Sequence, residues 1–138
     1  MKINGIVETA ISVGDIQASA RFYEVLFGFE RLVDDPRICA LNVAQGHVLL
    51  IFLRGGSLDP VVLPDGRGVV PPHDSRGQQH FALGIDVADF DGWCERLQGK
   101  GVAIESIVHW PLGGRSIYFR DPDQHAVELI TPGVWKNY

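Results

Sequence analysis

The chain repeats a pattern of one strand, one helix and three strands, and this repeat limits its fold more than any other feature. The two copies overlay with an offset of 72 residues (80 minus 8), which places Glu8-Thr-Ala-Ile on His80-Phe-Ala-Leu. A repeat of this kind is one supersecondary unit that is used twice. The sequence therefore predicts an α+β fold built from two βαβββ modules.

The first copy shows the pattern most clearly at its helix. Asp15 is a suitable N-cap, apolar residues follow at helical spacing, and Gly28 ends the helix. Apolar and β-branched runs before and after the helix are typical of strands, and turn sequences separate them. We expect these strands at residues 6–13, 29–33, 38–43 and 47–53.

The second copy has the same order of elements. A helical pattern over residues 89–98 follows a strand pattern, and the sequence Asp121-Pro-Asp-Gln124 predicts a turn between the last two strands. We expect the strands of this copy at residues 79–86, 102–108, 114–120 and 126–131.

The two copies define the expected organisation of the chain, which is a single domain over residues 1–138. Between the copies lies a segment in which nine residues are Gly or Pro, and a stretch of this length without regular structure is typical of a linker or a lid. The expected parts are module one at 5–53, the linker at 54–78, module two at 79–131 and a tail at 132–138.

Composition excludes several classes of partner. The net charge is −5 and no run of Lys or Arg occurs, so neither nucleic acid nor an anionic membrane is an expected partner. No apolar run is long enough for a membrane span or an export signal. Cys39 and Cys94 stand far apart, without a Cys-x-x-Cys pair, and read as reduced core residues. The expected compartment is the cytoplasm.

Three residues are candidates for one metal site. Glu8 and His80 occupy equivalent positions in the repeat, and Glu128 lies on the last strand between Val127 and Leu129. An unpaired carboxylate among apolar neighbours is costly to bury, so such a residue is paired, protonated or bound to a metal. The residues alone leave open the alternative that Glu128 is a solvated side chain on an outward face.

The ligand types also indicate which metal the site would hold. One His and two carboxylates suit Mn²⁺, Fe²⁺, Co²⁺, Ni²⁺ or Zn²⁺. Three protein ligands leave coordination positions open for water or substrate, which is typical of a catalytic metal.

Three stretches of sequence resemble the vicinal oxygen chelate superfamily, which includes glyoxalase I, extradiol dioxygenases, fosfomycin-resistance enzymes and bleomycin-resistance proteins. Residues 8–29, with Asp15 and the Phe22-Tyr23 pair, resemble its opening, and His80-Phe-Ala-Leu resembles the opening of its second module. The sequence Tyr118-Phe-Arg-Asp-Pro-Asp-Gln-His-Ala-Val-Glu128 resembles its closing hairpin. The resemblance covers residues 6–132. It implies two modules whose mixed sheet curves around a metal-binding cavity, a small-molecule substrate and a homodimer.

The resemblance also implies the roles of site residues. Carried onto this chain, the positions of the metal ligands are Glu8, His80 and Glu128, and they bind one divalent ion of Mn, Fe, Ni, Co or Zn. The superfamily often has His where this chain has Glu8, so the chain departs from the common pattern at this position. Whether the three ligands meet within one chain or across a dimer stays open.

Other candidate residues lie in module two. Tyr118 matches a tyrosine that contacts substrate in fosfomycin-resistance enzymes, although a strand tyrosine is otherwise a packing residue. Arg115 is expected to bind a substrate carboxylate or phosphate, with an ion-paired surface arginine as the alternative. His109 is expected to contact substrate, and it could act as an acid or base.

The resemblance implies a metal-dependent enzyme that acts on a small oxygen-rich metabolite or xenobiotic. Lyase, isomerase and dioxygenase chemistry all stay open. Glyoxalase I typically has a further carboxylate in the last strand of module one, and residues 47–53 offer none. The alternative is a protein of the bleomycin-resistance type, which binds a drug or another small molecule without catalysis and typically lacks the metal ligands.

Overall fold

A computed structural model describes all 138 residues, and the chain divides into two compact units, Met1–Gly77 and Gln78–Tyr138. Each unit contains one four-stranded mixed sheet. None of the helices combines the length and the apolar character that crossing a lipid bilayer requires.

The first unit begins with the predicted strand and helix. Strand β1 is Glu8–Val13, helix α1 is Ile16–Phe27, and strands β2, β3 and β4 are Glu30–Asp35, Ile38–Ala44 and His47–Leu53. The strand order is β1-β4-β3-β2, in which β1 runs parallel to β4 and the remaining pairs are antiparallel.

The predicted capping residues, Asp15 and Gly28, determine both ends of α1. The Asp15 carboxylate accepts a hydrogen bond from the Ala18 N–H at 3.0 Å, which satisfies one of the free donors at the helix start. Gly28 adopts a left-handed conformation with φ of 77°, and its N–H donates to the Glu24 carbonyl. The helix therefore starts and stops for local reasons.

The core of the first unit lies between α1 and one face of its sheet. Strand alternation places Ile11 and Val13 on the same face as Leu49 and Ile51, and all four are buried. The apolar side of α1 packs on this face, with Tyr23 fully buried. The opposite face of the sheet, which carries Glu8, is left without a helix.

The segment after β4 departs from the prediction of a linker without regular structure. It contains a short hairpin of β5, Val61–Val62, and β6, Val69–Val70. The Ser75 hydroxyl donates to the Ser12 hydroxyl at 2.9 Å, and the His73 ring lies edge-on to Phe52 at 4.6 Å. Because Ser12 and Phe52 are register partners, the segment folds back onto the helix-free face of the first sheet.

The second unit repeats the order of elements in the first. Strand β7 is His80–Gly84, helix α2 is Phe90–Gly99, and strands β8, β9 and β10 are Ile104–His109, Arg115–Arg120 and Ala126–Ile130. The order β7-β10-β9-β8, with β7 parallel to β10, matches the arrangement in the first unit. The predicted α+β class and the two βαβββ modules are confirmed.

Candidate metal centre

The second sheet has one apolar face and one face that carries polar side chains. On β10, Val127 and Leu129 are fully buried on the apolar face, and Glu128 between them points to the other face. Glu128 pairs with Tyr118 on the neighbouring strand β9, and Ala126 pairs with His80 on β7. Because side chains two residues apart on a strand share a face, His80, Tyr118 and Glu128 lie on the same side of the sheet.

His80 is held in one tautomer. Its Nδ1 lies 2.9 Å from the carbonyl oxygen of Ala126. A carbonyl can only accept, so Nδ1 must carry the hydrogen, and the neutral ring then has its lone pair on Nε2. This is the form in which a histidine binds a metal through Nε2, and a bond from the other ring nitrogen to a carbonyl is the usual support for such a ligand.

Glu128 is a buried carboxylate with an incomplete set of partners. Its side chain is 6% exposed, and its Oε2 lies 3.4 Å from His80 Nε2. Its Oε1 is buried and has no hydrogen-bond partner. An unsatisfied buried acceptor costs about 1–3 kcal/mol, and more when it is charged.

The atoms that face each other in this pair are both acceptors. A neutral His80 directs a lone pair at the negatively charged oxygen of Glu128, so the arrangement is favourable only when a positive charge joins the two groups. A proton on Nε2 or a bound cation supplies that charge. The donor set, one imidazole nitrogen and one carboxylate, fits a divalent transition metal.

Tyr118 completes this polar face. Its ring stacks beside the His80 ring, with 6.1 Å between centroids and 28° between planes. Burial raises the pKa of the Tyr118 hydroxyl, and a hydrogen bond to Glu128 and the charge of that carboxylate raise it further. The hydroxyl therefore stays protonated at neutral pH and acts as a hydrogen-bond donor beside the pair.

Glu8 lies in the first unit, at the start of β1. Its side chain is exposed and has no hydrogen-bond or ion-pair partner. Nowhere in the single chain do three His, Cys, Asp or Glu side chains form a group that could hold a metal ion. The structure thus brings together the pair of His80 and Glu128, and Glu8 stays a predicted third ligand.

Arg115 and His109 lie on the other face of the second sheet. Arg115 alternates with Ser116 on β9, and its guanidinium carbon sits 3.8 Å from the centre of the Phe90 ring on α2. It also pairs with Asp91 at 3.7 Å. His109 is exposed and is the register partner of Arg115, so it shares that face. Neither residue lies on the face of His80 and Glu128, and their roles as substrate contacts stay predictions.

Two residues near the pair have no counterpart among the predicted site residues. Ser116 is fully buried on the face of Tyr118, and its hydroxyl accepts a hydrogen bond from the Trp110 indole at 2.7 Å. His125 is fully buried in the turn before β10. Because Ser116 and Tyr118 are two residues apart on one strand, the sequence predicts that they share a face. The burial of His125 depends on contacts that are distant in sequence.

Comparison with known proteins identifies the family of this chain. The family model described as Glyoxalase/Bleomycin resistance protein/Dioxygenase superfamily matches residues 5–129. The metallothiol transferase FosB of Staphylococcus epidermidis is 28% identical, over 95% of this chain and 84% of that protein. The lactoylglutathione lyase of Haemophilus influenzae is 25% identical, over 91% of this chain and 90% of that protein.

A solved structure extends the likeness to the whole fold. The crystal structure of a lactoylglutathione lyase from Agrobacterium tumefaciens superposes with a TM-score of 0.87 at 28% identity and covers 99% of both chains. The family match and the two repeated modules lead to the same assignment. The chain belongs to the Glyoxalase/Bleomycin resistance protein/Dioxygenase superfamily.

Proposed function

We propose that this protein is a divalent-metal-dependent enzyme that acts on a small oxygen-bearing molecule, with His80 and Glu128 as metal ligands. The observation that carries the proposal is the facing pair of acceptors. His80 Nε2 and Glu128 Oε2 are 3.4 Å apart, and Glu128 Oε1 is buried without a partner. A buried carboxylate in this state is stabilised when a cation binds to it.

The ligand chemistry supports a metal with open coordination positions. Imidazole nitrogen and carboxylate oxygen together suit Mn²⁺, Fe²⁺, Co²⁺, Ni²⁺ or Zn²⁺. Two ligands from one sheet leave room for a third protein ligand and for the substrate. This arrangement favours a catalytic role over a structural one.

Glu8 is the proposed third ligand, and it would come from a second copy of the chain. Glu8 is exposed and makes no hydrogen bond or ion pair, at the position equivalent to His80 in the repeat. A symmetric homodimer would let each chain give Glu8 to the pair of its partner. The dimer is part of the proposal, because an exposed Glu8 can contact a second chain.

The residues around the pair suggest how a substrate would be handled. A bound divalent metal would supply a Lewis acid that stabilises negative charge on a substrate oxygen. Tyr118, a neutral hydroxyl beside Glu128, would donate a hydrogen bond to that oxygen or to a neighbouring one. His80 and Tyr118 present aromatic surfaces that would orient the substrate against the sheet.

The type of reaction is proposed from the relatives' names. These names include a thiol transferase and a lyase, and both kinds of enzyme make or break bonds at a substrate without a net redox change of a cofactor. We propose chemistry of that kind over dioxygenase chemistry. Ring-cleaving dioxygenases prefer two histidines and one carboxylate, whereas this chain offers one histidine and two carboxylates.

Metal content tests the proposal directly. Protein purified without added metal would be analysed by mass spectrometry and then titrated with Mn²⁺, Fe²⁺, Ni²⁺ and Zn²⁺. We expect one divalent ion per chain. We also expect Glu128→Ala to weaken binding by roughly 100-fold or more, because a ligand is lost. Glu105→Ala is the matched control, since Glu105 is a carboxylate of the same unit that pairs with Arg120.

Turnover is the second part of this test. Metal-loaded protein would be assayed with an epoxide plus a thiol, and with lactoylglutathione, before and after removal of the metal by a chelator. Turnover that requires the metal and is lost in Glu128→Ala supports an enzyme. A protein that none of the four metals can load contradicts the proposal and favours a binding protein of the bleomycin-resistance type.

A further inference from the structure

The turn between β9 and β10 contains a histidine that no solvent reaches. His125 is 0% exposed, and Asp121 at the start of the turn is 2% exposed. The N–H of His125 donates to the Asp121 carboxylate at 2.8 Å, and the Gln124 N–H donates to the Asp121 carbonyl at 3.0 Å. Asp121 thus closes the turn and determines where the His125 ring enters the unit.

The His125 ring binds the residue that precedes His80. Its Nδ1 lies 2.9 Å from the backbone nitrogen of Gln79, which can only donate. Nδ1 is therefore the acceptor in this bond. A buried backbone N–H without a partner would be costly, so the contact contributes to the placement of Gln79.

Three hydrogen bonds join the two segments around this point. Besides the bond to His125 Nδ1, the Gln79 carbonyl accepts from the Ala126 N–H at 2.9 Å. The Ala126 carbonyl in turn accepts from His80 Nδ1 at 2.9 Å. The bond to His80 Nδ1 selects the tautomer of His80, and the other two hold the N–H and the carbonyl of Gln79, the residue just before it.

We propose that His125 is a positioning residue for His80. By accepting the Gln79 N–H, it fixes the Ala126 carbonyl opposite His80 Nδ1 and so keeps the Nε2 lone pair directed at Glu128. The inference rests on the proposed metal site for its consequence, because a fixed tautomer lowers the cost of binding a metal. A histidine that only filled space in the turn would have no such effect.

Three substitutions separate positioning from packing. His125→Asn keeps an acceptor oxygen in place of Nδ1, since that oxygen is the same number of bonds from Cα. His125→Gln places its acceptor one bond farther along the side chain. His125→Ala removes the acceptor and leaves a cavity, so it also reports the structural cost.

The first measurement needs no metal. The ¹⁵N chemical shifts of the His80 ring, recorded at a pH where the ring is neutral, report the fraction with hydrogen on Nδ1. We expect a single Nδ1–H tautomer in the wild type and in His125→Asn, and a mixture of tautomers in His125→Ala. If His125→Ala does not fold, His125→Gln takes its place in the same comparison.

The second measurement is the dissociation constant for Zn²⁺ or Mn²⁺. We expect His125→Ala to weaken binding by about 10- to 100-fold and His125→Asn to restore most of it. Unchanged tautomer and affinity in His125→Ala would overturn the inference, as would equal impairment of both variants. A wild type that binds no metal would sink the proposed function, while the tautomer comparison would still decide the role of His125.

Discussion

Each module has its own sheet, and the equivalent faces of the two sheets carry different side chains. Module two carries Glu128 on its last strand and Tyr118 beside it, while module one carries Leu50 and Ala40 at the equivalent register positions. The scaffolds match strand for strand, including the parallel pair. The repeat therefore duplicates a fold, and the proposed metal-binding pair of His80 and Glu128 lies in the second copy.

One position keeps a ligand-capable residue in both modules. Glu8 starts β1 as His80 starts β7, but their surroundings differ. His80 is oriented by the Ala126 carbonyl and faces Glu128, whereas Glu8 is exposed and has no side-chain partner. His80 and Glu8 thus occupy equivalent positions in the two modules, but only His80 has a hydrogen bond that orients its side chain.

The largest effect is expected when module two is made to resemble module one. Glu128→Leu gives the last strand of module two the residue that module one has at Leu50. We expect metal binding to be lost. We expect the stability of the metal-free protein to be kept or raised by about 1–2 kcal/mol, because the substitution removes a buried carboxylate with an unsatisfied oxygen.

Titration calorimetry and urea unfolding measure these two quantities. Leu50→Met is the matched control, since it changes an apolar residue of module one and should leave metal affinity unaltered. A Glu128→Leu protein that is markedly less stable than the metal-free wild type would contradict this reading of Glu128.

A smaller effect is expected at Glu8. We expect Glu8→Ala to weaken metal binding by about 10- to 100-fold without changing stability, because the side chain is exposed and makes no hydrogen bond or ion pair. Glu30→Ala, which removes another exposed carboxylate of the same unit, serves as the control. Equal affinities for wild type and Glu8→Ala would exclude Glu8 as a ligand.

A mixture of two variants with impaired metal binding tests which chain supplies Glu8. Glu8→Ala and Glu128→Ala would be combined, unfolded and refolded together at a metal concentration that loads neither alone. If the site is shared across a dimer, a random mixture regains roughly a quarter of the wild-type sites. A site built within one chain would regain none.

The smallest effect concerns the ion pair that one arginine makes with a glutamate in each module. Arg31 in the first unit holds the Glu24 carboxylate with two bonds and also contacts Gln17 and Asp34. We expect Arg31→Met to destabilise the protein by about 1 kcal/mol at pH 7, since the pair is partly buried. Thermal unfolding would show this as a decrease in Tm of a few degrees.

The pH dependence of this effect has a defined sign. The hydrogen bond from Arg31 lowers the pKa of Glu24, so the contribution is complete above the ordinary carboxyl pKa of about 4.3 and is lost as the pH falls through the lower folded value. The loss of stability in Arg31→Met should therefore vanish in strong acid.

Arg120 lowers the pKa of Glu105 in module two in the same way, but this pair is more exposed, so Arg120→Met should show a smaller decrease in Tm. A larger decrease for Arg120→Met would contradict this order.

Local patterns in the sequence predict much of the fold and of the pair. The equivalence of Glu8 and His80 follows from the repeat. The apolar residues on both sides of Glu128 indicate that its carboxylate is buried and needs a partner. Strand and helix patterns are local, so the ends of α1 agree with Asp15 and Gly28. These features need no knowledge of contacts between distant segments.

Other features depend on contacts that the sequence does not reveal. A shift of one residue on β9 separates Arg115, which stacks on Phe90, from Ser116 on the polar face. The valine pairs of the hairpin lie in a segment rich in Gly and Pro, where turn residues obscured the strand pattern. His125 reads as a turn residue until its bond to Gln79 is known.

X-ray absorption at the zinc edge measures the types and distances of the atoms around a bound ion, so it tests whether His80 and carboxylate oxygens hold the metal. For Zn²⁺-loaded wild-type protein, we expect one imidazole nitrogen and otherwise oxygen ligands, with distances of about 2.0–2.2 Å. We expect the imidazole signal to disappear in His80→Ala. A sulfur ligand at about 2.3 Å, or an imidazole signal that persists without His80, would rule out this metal site.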